Sequence, residues 1–146
     1  MKLKQVSLFL ENVPGSITAP CRLLAQNGIS ILTLSLADTE RFGILHLVLR
    51  DWQKALELFK NAGYVANVVD VLAVEVDDRP GGLVRVLESL ERAAISVEYM
   101  YAFTLRKGQR AMLVLRVEDL DGAVRALSAS KVPIVMSDDL YALFDG

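Results

Sequence analysis

Cysteine and histidine are almost missing from this chain: its 146 residues hold one of each, Cys21 and His46. A lone cysteine cannot close an intrachain disulfide, so a reducing cytoplasm is the expected setting. One cysteine and one histidine also fall short of the ligand set of an ordinary zinc site. No Ser-His-Asp set drawn on the single histidine can be placed at a shared strand end. Glycine patterns of the Walker or dinucleotide-binding kind are absent. A surplus of one charge is missing too: 16 Lys and Arg stand against 18 Asp and Glu, with no long run of like sign. That removes the basic footprint of a nucleic-acid binder and the charged tail of many interaction segments. No apolar run is long enough to span a bilayer. Met1-Lys2-Leu3-Lys4 leads into an alternating segment instead of the apolar stretch of a signal peptide. Neither nucleic acid nor a membrane is an expected partner.

What the chain does have is a core and a repetition. Hydrophobic residues make up 53% of it, ample for a packed interior and incompatible with disorder. The string Leu-Val-Leu-Arg at 47–50 returns at 113–116, an offset of 66 residues from Leu47 to Leu113. The same offset lays Pro14-Gly15 on Pro80-Gly81 and Ile29-Ser30 on Ile95-Ser96. It also lays Ile17, Cys21 and Leu24 on Leu83, Leu87 and Leu90. Self-similarity at a fixed period means one supersecondary unit used twice.

Residues 4–11 put Val6, Leu8 and Leu10 on one face and predict a strand. Asn12-Val13-Pro14-Gly15 is turn chemistry. Ile17, Cys21, Leu24 and Ala25 predict a helix over 16–27, closed by Asn27-Gly28. Pro20 lacks the N–H that such a helix needs, so its first turn is irregular or it starts late. A hairpin of 29–37 and 42–49 turns at 38–41. A helix follows from Asp51 to Asn61 with Trp52, Leu56 and Phe59 inward, then a stop at Gly63 and a strand over 64–69. The second copy repeats this: strand 71–76, loop 77–82, helix 83–93, hairpin strands 95–105 and 110–117 turning at Lys107-Gly108, helix 119–130 and strand 132–136. Ser137 caps a final short turn carrying Leu140, Tyr141 and Leu143. Each copy reads β-α-β-β-α-β, so the fold class is α+β: two ferredoxin-like units in tandem, antiparallel sheets with helices on one face. The domains are 1–70 and 71–146, with Asp70 alone between two adjoining strands.

The face opposite the helices is apolar where a solvated face would be polar: Phe9, Ile44, His46 and Val48 in one copy, Met112 and Val114 in the other. Val97, Tyr99, Tyr101 and Phe103 share one side of their strand. Packing of two units or of two chains, sheet against sheet, explains this; a ligand groove made of those aromatics is the alternative. His46 reads as a packed or interface histidine and Cys21 as a core residue on the buried stripe of the first helix. The acidic pairs Asp77-Asp78 and Asp138-Asp139 read as solvated loop residues. Nothing argues for catalysis, a cofactor or a metal.

A loop does recur. Asn12-Val13-Pro14-Gly15 and Asp78-Arg79-Pro80-Gly81 each join a first strand to a first helix. Glycine permits close approach of a ligand, and a helix start offers N–H groups and the positive end of a dipole to a small carboxylate. A carbonyl or carboxylate at Asn12 or Asp78 accepts from an ammonium group. Those two features together describe an α-amino acid; the other reading is that Pro-Gly merely starts a helix.

With Glu11-Asn12-Val13-Pro14-Gly15 closing strand one and Asn27-Gly28-Ile29-Ser30-Ile31 opening strand two, the unit resembles the ACT domain. The chain is similar to small stand-alone proteins made of two ACT domains, over nearly all of residues 3–143. The resemblance implies regulation: ACT domains bind amino acids where two of them pair side by side, the strand-one loop of one facing strand two of its neighbour. Carried onto this sequence, the first loop supplies Asn12, Val13, Pro14, Gly15, Ser16 and Ile17, and the second Asp78, Pro80, Gly81 and Leu83, with Arg79 and Gly82 between. Strand two supplies Leu34, Ser35 and Leu36 in one copy and Tyr99, Met100 and Tyr101 in the other. The second loop departs from the family pattern at Asp78 and Arg79, and Arg79 can close it by pairing with Asp77 or Asp78, so the Asn12 loop is the favoured site. The expectation is a cytoplasmic, non-catalytic amino-acid-binding regulator, a homodimer that controls a metabolic enzyme. The alternative is a ligand-free interaction module or regulatory subunit docking on a biosynthetic enzyme.

Overall fold

In a computed structural model, which describes residues 2–38, 41–104 and 110–143, the chain forms two compact units. One is Lys4–Val69; the other is Met1–Leu3 with Asp70–Gly146. Both have the mixed α+β architecture of a βαββαβ unit.

The first unit is built from β1 (Leu3–Glu11), α1 (Thr18–Gln26), β2 (Thr33–Asp38), β3 (Phe42–Val48), α2 (Trp52–Asn61) and the leading part of β4 (Val65–Asp77). Its strand order is β2-β3-β1-β4. Antiparallel pairing sets Val6 against Leu47 and Leu8 against Leu45. Period-2 alternation therefore puts Val6, Leu8, Leu10, Leu45 and Leu47 on one face, where they meet Leu24 of α1 and Ala55 and Phe59 of α2. The ring of Phe59 stands edge-on to Tyr64 at 5.9 Å. α1 begins at Thr18, so Pro20 occupies its third position, where the N–H has no intrahelical acceptor and its loss costs nothing. The late start expected from Pro20 is thus what the helix does.

The second unit uses the rest of β4, then α3 (Gly82–Arg92), β5 (Val97–Thr104), β6 (Arg110–Val117), α4 (Leu120–Ala129), β7 (Ile134–Val135) and α5 (Ser137–Ala142). Its order is β7-β4-β6-β5. Leu72, Val74, Leu113, Leu115 and Val117 pack beneath Val86, Leu90, Ala123 and Leu127 of the two helices. Asp119 caps α4, its Oδ1 accepting from the Gly122 N–H at 2.9 Å.

Four expectations need correction. Asp70 does not interrupt two strands: β4 runs through it for 13 residues. No glycine or proline is there to turn the backbone, and the Asp70 carbonyl accepts from Arg116 Nη1 at 2.8 Å. The last strand shrinks from 132–136 to Ile134–Val135, because Pro133 has no N–H to give a ladder; its carbonyl still accepts from Glu75 at 2.9 Å. The residue capping α5 is Met136, with no side-chain bond from Ser137. Finally, Val97 does not share a side with the aromatics of its strand. A register shift lies between Val97 and Tyr99, leaving Val97 against Val117 on the core side. Tyr99, Tyr101 and Phe103 then oppose Arg116, Val114 and Met112 on the other face. The turns expected at 38–41 and Lys107-Gly108 fall partly or wholly outside the described residues.

The face away from the helices is apolar, as the pattern predicts. Its central positions, Val48 and His46 in the first unit and Val71, Ala73, Met112 and Val114 in the second, are already buried in the single chain. Phe9 and Phe42 remain exposed.

Candidate functional site

The two Pro-Gly loops superimpose bond for bond. Val13 N–H donates to the Glu11 carbonyl and Arg79 N–H to that of Asp77; Ser16 donates to Val13 and Gly82 to Arg79; Ala19 donates to Gly15 and Arg85 to Gly81, all between 2.9 and 3.2 Å. A proline followed by a glycine at φ +87° (Gly15) or +90° (Gly81), closed by an i+3 to i bond, is a type II turn. A Cβ at either glycine would meet nothing within 4 Å. Glycine is there for its backbone angle, and the dipeptide is explained by the turn. Ligand chemistry has to come from the neighbours.

Those neighbours differ between the copies. Asn12, Val13, Pro14 and Ile17 are exposed and Ser16 is half-buried, while the Asn12 N–H donates to the Arg41 carbonyl at 2.9 Å. In the second loop Asp78, Pro80, Gly81 and Leu83 are exposed. There Arg79 Nη2 lies 3.0 Å from Asp77 Oδ2, the ion pair expected from the sequence. The first loop carries Glu11 and Val13 at those two positions and has no such clamp. Helix starts differ as well. A Cβ on Gly82 would strike the Asp77 carbonyl oxygen, so the second loop packs closely against the end of β4, and α3 starts at Gly82.

Strand two splits the remaining candidates. Leu34 lies opposite Leu47 and Leu36 opposite Leu45, which puts both on the helix side. They are nevertheless 48% and 45% exposed, because β2 is the edge strand of its unit. Ser35 lies opposite His46 on the other face. Leu36 is two strand spacings, about 10 Å, from Leu8 near the end of β1 from which the Asn12 loop leaves. Leu36 is level with Leu8 and Leu34 with Val6, three and five residues before β1 ends at Glu11 and the Asn12 loop begins, and loop and edge both present open side chains.

In the second unit Met100 faces the helix side opposite Leu115, whereas Tyr99 and Tyr101 point the other way and are half-buried. Burial, with the neighbouring Tyr99 adding, pushes the Tyr101 hydroxyl well above the ordinary tyrosine range. Register also shows that Met100 is not the counterpart of Leu34. Ala102 lies opposite Leu113 as Leu34 lies opposite Leu47, so Ala102 and Phe103 stand where Leu34 and Ser35 do. The displacement is two residues, of which the one-residue bulge at Glu98, itself without a sequence signature, supplies one.

Sequence reasoning missed one constellation. On β1 and β3 the buried Gln5, Ser7 and His46 are hydrogen-bonded to one another. Gln5 Nε2 donates to His46 Nδ1 at 3.0 Å, and Ser7 Oγ is 3.1 Å from both. Burial holds the His46 pKa below the usual histidine value. His46 is a packed histidine, as expected. Cys21 is half-buried instead of core, because α1 turns Pro20 and Leu24 inward. No group of three acidic, histidine or cysteine side chains able to hold a metal is found among the described residues. No described helix is long and apolar enough to cross a membrane.

The family model of the ACT domain pair matches residues 1–144. No curated protein matches the sequence. Among solved structures, protein BT0572 from Bacteroides thetaiotaomicron is similar with 33% identity and a TM-score of 0.90, over 97% of this chain and 96% of that one. The regulatory subunit of aspartate kinase from Thermus flavus is similar in fold, with 18% identity, a TM-score of 0.62 and coverage of 90% and 94%. Its counterpart from Thermus thermophilus, in a ligand-free form, gives 16%, 0.65, 89% and 93%.

Proposed function

The chain belongs to the family of ACT-domain pairs, and on that premise we propose that it is a non-catalytic regulatory protein. It senses a small amino acid at an interface between ACT units and thereby controls a metabolic enzyme in the cytoplasm. The observation that carries this reading is the contrast between the two loops. Both make the same turn, but among the described residues the ion pair that clamps the second loop has no counterpart in the Asn12 loop, whose unit also exposes the aliphatic edge of Leu34 and Leu36.

In this reading the ligand carboxylate meets the start of α1, where N–H groups and the dipole favour an anion. Its ammonium group donates to the Asn12 side-chain carbonyl. Its side chain lies against the Leu34 and Leu36 edge of a neighbouring unit, for which a homodimer supplies the second copy. Val13, Pro14, Gly15, Ser16 and Ile17 shape the loop. The Asp78 loop, with Arg79 turned onto Asp77, is the poorer binder. Bound ligand favours one packing of the units by its differential affinity and by no more than that.

Thermal unfolding against the twenty amino acids taken singly tests this. Ligand at a hundredfold over its Kd adds about 2.7 kcal/mol, a rise on the order of 5–10 °C for a chain of this size. A rise with one or a few related amino acids that disappears in Asn12→Ala supports the sensor. A flat panel with cooperative unfolding rejects it. The second reading, a ligand-free subunit that docks on an enzyme, is favoured by the likeness to aspartate kinase regulatory subunits. Co-purification with a catalytic partner and indifference to every amino acid are its marks.

A further inference from the structure

Val65 is 68% exposed, the highest value among the described large apolar residues. It opens β4, a strand whose two halves are bordered unequally. At Ala73 and Val74 there is a neighbour on either side, Val114 and Leu113 of β6 and Val135 and Ile134 of β7. Pairing with β6 starts at Leu72. Ahead of that point, among the described residues, β4 is bordered by β1 alone. Over residues 65–69, which all belong to the Lys4–Val69 unit, one edge of β4 is therefore unpaired. Such an edge presents a row of backbone N–H and C=O groups, and native proteins blunt it with lysine, proline, a bulge or brevity. β7 has two residues and β5 has the bulge at Glu98. The stretch Val65-Ala66-Asn67-Val68-Val69 has no such guard: three of its five residues are β-branched and none is charged.

We propose that this edge docks an extended segment of a partner protein, which joins the sheet as one more antiparallel strand. Main-chain hydrogen bonds hold the segment, in the same ladder that β1, β2 and β3 already use. Size argues against a second folded copy held here. Five residues at about 3.3 Å each, across one strand spacing of about 5 Å, make a strip far below the ~800 Å² per partner of a stable complex between folded proteins. The neighbours on β4 define the chemistry of the segment. Ala66 and Val68 pack against the core of their unit, so the residues opposite them fall on the helix side and are apolar. Those opposite Val65 and Asn67 fall on the other face, where an apolar or β-branched residue suits Val65 and a hydroxyl or amide suits Asn67. A charge opposite Ala66 or Val68 would lose water without gaining a counter-charge. The segment is thus about five residues long, alternating, and uncharged on its helix side. Docking at this edge depends neither on the Asn12 loop nor on an amino acid bound there.

Amide hydrogen exchange and NMR titration of the full chain test the proposal, with the end-blocked heptapeptide Lys-Thr-Ile-Thr-Ile-Thr-Lys as probe. In the free chain alternate amides within 65–69 should exchange quickly. The peptide should slow them and move their signals, and should leave amides 12–17 unmoved. Methylating the nitrogens along one edge of the peptide should abolish binding, while methylating those along its other edge should not. Glutamate in place of both isoleucines should weaken binding at least about tenfold, as should Val65→Lys, whose exposed position lets the variant keep the parent unfolding temperature. Full protection of 65–69 in the free chain overturns the proposal, as does the absence of any effect of the peptide on these amides. Equal binding by the two methylated peptides overturns it in favour of unspecific apolar contact. Protection that grows with protein concentration while the mass doubles overturns it in favour of self-pairing.

Discussion

His46 is where a single side chain carries the clearest consequence. It lies in a buried polar set with Gln5 and Ser7, and burial disfavours the charged imidazole and holds its pKa below the ordinary value of 6.5. The unfolded chain binds a proton at about 6.5 and the folded chain only at a lower pH, so between those values the unfolded state carries more protons. Stability from this residue is therefore present above about pH 6.5 and is lost as the pH falls towards the folded value. Urea unfolding at a series of pH values should show that decline, and His46→Leu should flatten it. The same substitution removes the Gln5–His46 and Ser7–His46 hydrogen bonds from a buried site and should lower stability near neutral pH by about 1–3 kcal/mol. An unchanged acid limb in His46→Leu would assign the decline to carboxylates. None of this was legible from the sequence. His46 could be placed on the apolar face of its strand, but which residues of β1 stand across from it depends on register, and Gln5 and Ser7 carry no mark of burial.

Among the elements, helix boundaries show how much backbone conformation the sequence records. Gly28 at φ +69° follows α1, and Ala94, its counterpart in the repeat, follows α3 at φ +56°. A Cβ in the left-handed region is strained by roughly 1–2 kcal/mol. Ala94→Gly should therefore stabilise the chain by about 0.5–1 kcal/mol once the greater freedom of glycine in the unfolded chain is subtracted. The reverse holds at Gly15 and Gly81, where alanine should cost about 1–2 kcal/mol each by strain alone, with no clash. Gly82→Ala is different in kind: its Cβ would strike the Asp77 carbonyl oxygen, so the start of α3 has to move. Melting curves of the three glycine variants should rank Gly82→Ala lowest, and parity among them would mean that α3 shifts freely. The turns and helices were readable because proline and glycine at fixed offsets record φ. The bulge at Glu98 was not, since Val97, Tyr99 and Phe103 alternate as an unbroken strand would. That one-residue slip is why Tyr99, Tyr101 and Phe103 stand on the face opposite to Val97. The turn geometry of the two loops was therefore readable, because turn chemistry decides it, whereas which strand-two residues of the second copy share a face was not, because register decides it.

At the scale of the molecule the repeat is joined through a strand. β4 borders β1 in the first unit and pairs with β6 and β7 in the second. An apolar run without glycine or proline gave the reading of two strands no physical stop at Asp70, and a continuous strand is the simpler outcome. A strand common to two cores cannot melt in one and persist unchanged in the other, so the two units should unfold together. Trp52, the single tryptophan, lies in α2 and reports the first unit alone, whereas far-UV circular dichroism reports both. The two signals should give coincident urea transitions with one midpoint. Asp70→Pro removes an N–H from the middle of β4 and should lower both signals' midpoints together; even ~1 kcal/mol lost moves the melting temperature by about 2–4 °C in a chain of this size. If Trp52 instead melts at its own midpoint, before or after the bulk of the secondary structure, β4 acts as a tether between independent domains. A regulator built that way would have to transmit ligand binding through surface contact alone. Coincident transitions mean that ligand held by the Asn12 loop stabilises the second unit as much as the first, which gives one binding event a reach over the whole chain.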